Sequence, residues 1–148
     1  MNSRFLCGVG VAALAIFATA CGRGEIRSDQ VPTPLDEQLS AAHRSRQRST
    51  MADMRNIATA NAVMRLDTGG YAQSLAELVE KNYMRVVAPT DAWGTAWAYS
   101  TGADTYTLTS LGSDGAPGPA PPRVWLDEPY DPDIVLTDGQ FTQAPTGR

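Results

Sequence analysis

Acidic residues crowd one stretch of this chain. The segment "SLGSDGAPGPAPPRVWLDEPYDPDI", residues 110–134, carries Asp114 near its start and Asp127, Glu128, Asp131 and Asp133 near its end. Oxygen donors of this kind suit a hard cation, whereas zinc draws on His and Cys. Paired carboxylates can also do general acid–base work. Here they sit on a proline-stiffened loop without an evident pocket. The chain holds a single histidine, His43, and shows no Ser/His/Asp set and no glycine-rich phosphate loop. His43 lies in "HRSRQRS", which is polar on all faces, and it reads as an exposed side chain. The residues therefore point away from an enzyme. Taken alone, Asp114-Gly115 is a plain turn with no metal specificity.

The two cysteines have a different chemistry. The chain opens with Arg4 and then "LCGVGVAALAIFATA", an apolar run that ends in small residues. That is the order of a secretory signal, and the run is shorter than the ~20 residues of a membrane-spanning helix. It closes on Ala18-Thr19-Ala20-Cys21, which resembles the bacterial lipobox. Residues 1–20 are expected to be a lipoprotein signal peptide, with Cys21 as the lipidated, palmitate-bearing first residue of the mature protein. Cys7 would leave with the signal, so no disulfide is expected despite an oxidising compartment. Net charge is −4 over the 148 residues, and no Lys/Arg cluster marks the folded part. Nucleic acid is thus excluded as a partner. An acidic domain needs the lipid to hold it at an anionic membrane. Gly22 follows Cys21 where an acidic retention residue would stand, which favours the outer membrane.

The elements that must position the loop can be read in order. Residues 21–39 form the lipidated cysteine and a polar, proline-containing tether. A helix is permitted from Leu35 and expected from Ser40, ending at Gly69-Gly70. Met51, Met54, Ile57, Ala58, Asn61, Ala62 and Met64 recur at 3-and-4 spacing and form its apolar stripe. The part before Met51 is expected to project into solvent. Ser74-Leu75-Ala76-Glu77 is a capping box that opens a short helix. "WGTAWAYSTGADTYTLTS" reads as a hairpin turning at Thr-Gly-Ala-Asp. One further strand is expected around Ile134–Thr137, and the tail 142–148 is expected to be loose. The sum is an α+β domain over 40–141, with a long N-terminal helix on a small antiparallel sheet of two to three strands.

These residues resemble the soluble domain of the major pseudopilin of type II secretion, protein G. The resemblance rests on the helix ending in Asp67-Thr68-Gly69 with Tyr71 after it, the short helix, and Asp91-Ala92-Trp93-Gly94. It continues through Tyr99, Tyr106 with Leu108, Ser110-Leu111-Gly112-Ser113-Asp114-Gly115 and the closing Asp-x-Asp-Ile. The family's fold is the one already read. The resemblance also implies a Ca2+ site in the loop. Its matching positions are the Asp114 side chain, the carbonyls near Leu111 and Ser113, and Asp133 with Asp131 as its partner. The "PAPPRVWLDEP" portion is extra to the family pattern.

The start of the chain departs from the family as well. A prepilin leader and its hydrophobic helix are replaced by the lipobox and a polar segment, so a fold inherited without the usual filament role is expected. One reading is a lipid-anchored assembly component of a secretion or pilus-like machine, working with pseudopilins or other envelope proteins in the bacterial periplasm or at the cell surface. The other is a non-polymerising binding module that uses the Trp125 loop for protein contact. No small-molecule substrate is evident.

Overall fold

The computed structural model describes residues 33–118, 124–125 and 129–146. The signal-like segment 1–20, Cys21 and the polar tether up to Pro32 lie outside the described residues, as do Asp127 and Glu128.

Helix α1 spans Pro34–Thr68. It starts ahead of the expected Ser40 boundary because its first turn is fully specified. Thr33 caps it and receives the Asp36 N–H, Asp36 reaches back to the Thr33 N–H, and Pro34 fills the first helical position. It stops where the sequence predicts, at Gly69 in the left-handed region (φ 80°), whose N–H donates to the Arg65 carbonyl. Met51, Met54, Ile57, Ala58, Asn61 and Met64 are buried as the spacing predicts. Ala62 is exposed and Ala60 is buried in its place.

The polar half of α1 is not free of the domain. Gln47 and Thr50 are buried, and the Ala92 N–H donates to the Thr50 hydroxyl. The expectation that this half projects into solvent is corrected for residues 43–50, while the first turns of the helix are exposed as expected. Thr50 is packed against the connection before the sheet, which supplies its hydrogen-bond partner.

Helix α2, Leu75–Glu80, is capped by Ser74, which receives the Glu77 N–H. The capping box closes differently from expectation. Glu77 accepts the N–H of Gln73, one residue earlier, and pairs with Lys81 on its other side. Leu78 carries α2 into the core.

Four antiparallel strands follow: β1 Ala98–Thr101, β2 Tyr106–Ser110, β4 Ile134–Thr137 and β5 Gln140–Pro145, in the order β1-β2-β4-β5. A two-residue strand, β3 Val124–Trp125, lies parallel to the far end of β5. The α+β class stands, with a larger sheet than the two to three strands expected. The additional long strand is β5, which occupies part of the segment expected to be a loose tail. Asp138 (φ 51°) and Gly139 (φ 82°) both take positive φ, the geometry of a two-residue hairpin turn that returns the chain along β4.

Alternation sets the core. Tyr106, Leu108 and Ser110 of β2 and Ile134 and Leu136 of β4 face inward, against Met54, Ile57, Met64 and Leu78. Asn61 accepts the Ala72 N–H, and the Tyr99 hydroxyl donates to the Ala72 carbonyl at 2.7 Å. These bonds fix the link after α1 against β1. The acidic loop leaves from β2 and returns into β4, two adjacent central strands. Its two ends are therefore held side by side by the sheet itself.

Candidate functional site

The neck of the loop is built from backbone contacts. Gly112 takes φ 66°, and its α-carbon sits against the returning chain so closely that an added Cβ would lie 2.2 Å from the Asp131 carbonyl oxygen. Only glycine permits both the conformation and the approach. One residue on, the Ser113 N–H donates to the Tyr130 carbonyl (3.0 Å) and the Ser113 hydroxyl donates to an Asp131 carboxylate oxygen.

Inside the neck the acids separate into two roles. Asp114 accepts the Ala116 N–H (3.0 Å), closing a tight turn. Asp133 accepts the Gly118 N–H (3.3 Å) on one oxygen. Its other oxygen, Oδ1, is buried and has no hydrogen-bond partner among the described residues. Burial raises the Asp133 pKa above the usual carboxylate value, and the charge of Asp114 raises it further against the Gly118 bond. Asp114 and Asp133, from opposite ends of the loop, thus repel each other across it. Asp131 is exposed and spends an oxygen on Ser113. Leu111 lies half-buried at the end of β2.

Of the expected ligands, then, Asp133 lies within electrostatic reach of Asp114, Asp114 is exposed and turned to the Ala116 N–H, and Asp131 is turned to a serine. Among the described residues no three His, Cys, Asp or Glu side chains converge in a metal-binding group. A buried, unpartnered carboxylate oxygen that feels the charge of a second carboxylate is nonetheless what a hard cation completes. Calcium also draws on backbone oxygens, which the neck supplies. The donor chemistry fits such an ion.

A linked cluster lies beside the neck, and the sequence does not announce it. His43 is not exposed as expected. It is half-buried with its ring edge-on to both Trp93 (5.4 Å) and Tyr130 (5.1 Å). Its aromatic neighbours come from distant parts of the chain and partly cover it. Trp93 belongs to the turn organised by Asp91, which is buried and accepts the N–H groups of Trp93 (3.0 Å) and Thr95 (2.9 Å) and the hydroxyl of Ser110. Away from the acids, an apolar cleft of about 510 Å3 opens between α2 and the connection to β1, lined by Leu75, Val79, Val86, Pro89 and Trp97. The Trp97 indole N–H is anchored on the Ala88 carbonyl.

The family model of the type II secretion system, protein G, matches residues 37–123, more than half of the chain. This chain belongs to the type II secretion system protein G family. No curated protein and no solved structure matches it. The match takes in α1, α2, β1 and β2 and reaches across Asp114. The end of the loop that bears Asp131 and Asp133 follows the matched span. Family membership makes the chain a pseudopilin-type structural component related to secretion. Among the described residues no helix is long and apolar enough to cross a membrane.

Proposed function

We propose that this chain is a lipid-anchored pseudopilin-like component of the type II secretion envelope machinery, with a calcium-stabilised loop. The observation that carries the calcium part is Asp133 Oδ1, buried and unpartnered beside the charge of Asp114. Asp114 and Asp133 would hold the ion, with carbonyl oxygens near Leu111 and Ser113. Asp131, which accepts the Ser113 hydroxyl on one oxygen, would join them at the rim. A bound divalent cation supplies the positive charge that offsets their repulsion. In this reading the loop is a structural device. It fixes the face of the domain that meets other pseudopilins or envelope proteins, and it catalyses nothing.

The pH dependence of Asp133 tests this. Its folded pKa lies above the unfolded one, so its contribution favours the fold at pH values below the unfolded carboxylate pKa, near 3.9. That contribution is lost as pH rises through the raised folded value. Metal-free protein should therefore lose stability from this group on going from acid to neutral pH. Asp133→Asn should flatten that part of the pH–Tm profile in chelator. Calcium should raise the Tm of the wild-type chain at pH 7 and leave Asp133→Asn nearly unmoved. Calorimetry and melting curves read both, and an equal calcium response in the two proteins would sink the assignment.

The anchor is carried by "ATAC" at residues 18–21. Cys21→Ser should move the protein from the membrane fraction to the soluble one. A single acyl chain binds only marginally and reversibly, so loss of a multiply acylated cysteine should be close to complete. Membrane retention equal to wild type in that variant would remove the lipid from the proposal.

A further inference from the structure

The loop neck is tied to α1 as well as to itself. Tyr130, whose carbonyl receives the Ser113 N–H, donates its phenol to the Ser40 carbonyl of α1 at 3.3 Å. Its ring meets His43 at 83° and 5.1 Å, and His43 meets Trp93 at 73° and 5.4 Å. The Arg46 guanidinium lies 5.8 Å from the centre of the Trp93 ring, a cation–π distance. Trp93 is held from below by Asp91, which also takes the hydroxyl of Ser110 at the foot of the loop. A closed circuit results. It runs from the loop neck through Tyr130 to α1, from α1 through His43 to Trp93, and from Trp93 through Asp91 back to β2.

This circuit matters because of where α1 is otherwise held. No residue of α1 ahead of Gln47 is buried. The attachments described for that stretch are made by Ser40, His43 and Arg46. The same stretch presents Leu35 (72% exposed) and Leu39 (55% exposed) to its surroundings. A helix end without a buried face draws little stability from packing, and short helical segments are marginal alone. Its order depends on the latch, and the latch is three residues from Asp133. The intervening Asp131-Pro132 pair is stiff, since proline fixes its own φ and restricts the residue before it. A change in how Asp133 is held is therefore passed to Tyr130 with little slack.

We propose that Tyr130, His43 and Trp93 couple the acidic loop to the N-terminal end of α1, so that cation ligation by Asp114 and Asp133 tightens residues 34–47 of the helix. The loop then acts as a conformational control on the part of the helix that shows Leu35 and Leu39. This rests on the calcium reading above for its ligand, but the latch itself does not. Coupling of this kind is reciprocal: whatever tightens the helix end raises the affinity of the loop by the same factor. Tyr130 is accordingly a positioning residue for the loop, not a ligand. The gain for assembly is preorganisation, because a helix end already ordered costs a partner less to bind.

Hydrogen exchange on the full chain, with calcium chloride as the probe, tests this. In wild type, calcium should slow exchange of the amides of residues 41–47 as well as those of the loop. Tyr130→Ala should speed exchange at 41–47 in chelator. It should also erase the calcium effect there and weaken calcium binding about tenfold, within the range usual for coupled sites. Tyr130→Phe keeps the ring and loses the phenol bond, and should fall between the two. His43→Ala approaches the latch from the helix side. It should reproduce the weakened calcium binding with every loop residue unchanged. If wild type binds no calcium, the calcium reading falls and Asp133→Asn becomes the probe of the loop. It removes the half-buried charge, should slow exchange at 41–47 in chelator, and should lose that effect when combined with Tyr130→Ala. Unchanged exchange at 41–47 in Tyr130→Ala, with or without calcium, overturns the coupling.

Discussion

Replacing Gly112 by alanine is expected to cost the domain about 2–5 kcal/mol, a large share of the ~5–15 kcal/mol that holds a domain of this size together. Two penalties add. The backbone at Gly112 has φ 66°, and an L-residue in the left-handed region costs roughly 1–2 kcal/mol. The new Cβ would also stand 2.2 Å from the Asp131 carbonyl oxygen, 2.7 Å from its carbon and 3.0 Å from the Pro132 carbonyl oxygen. All three are backbone atoms, which cannot swing aside as a long side chain can. Relief of such overpacking typically costs another 1–3 kcal/mol. It would part the two sides of the neck, together with the Ser113–Tyr130 bond and the approach of Asp133 to Asp114. The variant should therefore lose most of any calcium response along with its stability. Gly118→Ala is the matched control. Its nearest contact would be Asp133 Oδ1 at 3.8 Å, an ordinary van der Waals distance, so it should stay within about 0.5 kcal/mol of wild type. Urea unfolding of the full chain reads both values, and a Gly112→Ala loss under about 1 kcal/mol would mean that the neck is not closed as described.

The backbone course of this site was legible in the sequence, and its side-chain partnerships were not. Local chemistry marks the end of α1 at Gly69, the start of α2 at Ser74, and the β1–β2 hairpin. The structure keeps all three, because each is decided within a few residues. The fifth strand was also signalled, by Asp138-Gly139 after an alternating run. Reading the residues beyond it as a tail hid a hairpin turn that the two positive φ angles make plain. Asp138 does more than turn the chain, since its carboxylate accepts the Tyr106 N–H at 2.9 Å and the Thr105 hydroxyl at 3.0 Å. His43 is the opposite case. The residues after it are polar on all faces, and the rings that pack on it arrive with the Asp91 turn and the returning loop. Periodicity cannot see such a partner. Likewise the spacing Asp131-Pro132-Asp133 says that two acids are close, and it does not say which one is buried. The folded loop decides that: Asp131 stays exposed, while Asp133 is half-buried with its Oδ1 covered.

Asp91→Ala should be the most damaging single change to the latch and its surroundings, costing about 3–5 kcal/mol. Asp91 is 5% exposed, and its carboxylate accepts three hydrogen bonds: from the Trp93 N–H, the Thr95 N–H and the Ser110 hydroxyl. Alanine leaves all three donors without that acceptor. Each buried donor so abandoned costs about 1–3 kcal/mol, partly recovered where the hydroxyl can rotate or water can enter. Asp91→Asn separates the geometry from the charge. The amide oxygen can still accept the two backbone N–H groups, and the amide nitrogen can donate to Ser110, whose hydroxyl is able to accept. That variant should lose only about 1–2 kcal/mol, the difference between a charge-assisted bond and a neutral one. Because Trp93 hangs from this turn, the two variants should also differ in exchange at residues 41–47. Alanine frees the indole from beneath His43, and asparagine keeps it in place. Denaturant unfolding gives the energies and hydrogen exchange gives the reach. If alanine and asparagine lost equal stability, Asp91 would be acting through its charge and not through the turn it closes. The circuit from loop to helix would then have to pass through Tyr130 alone.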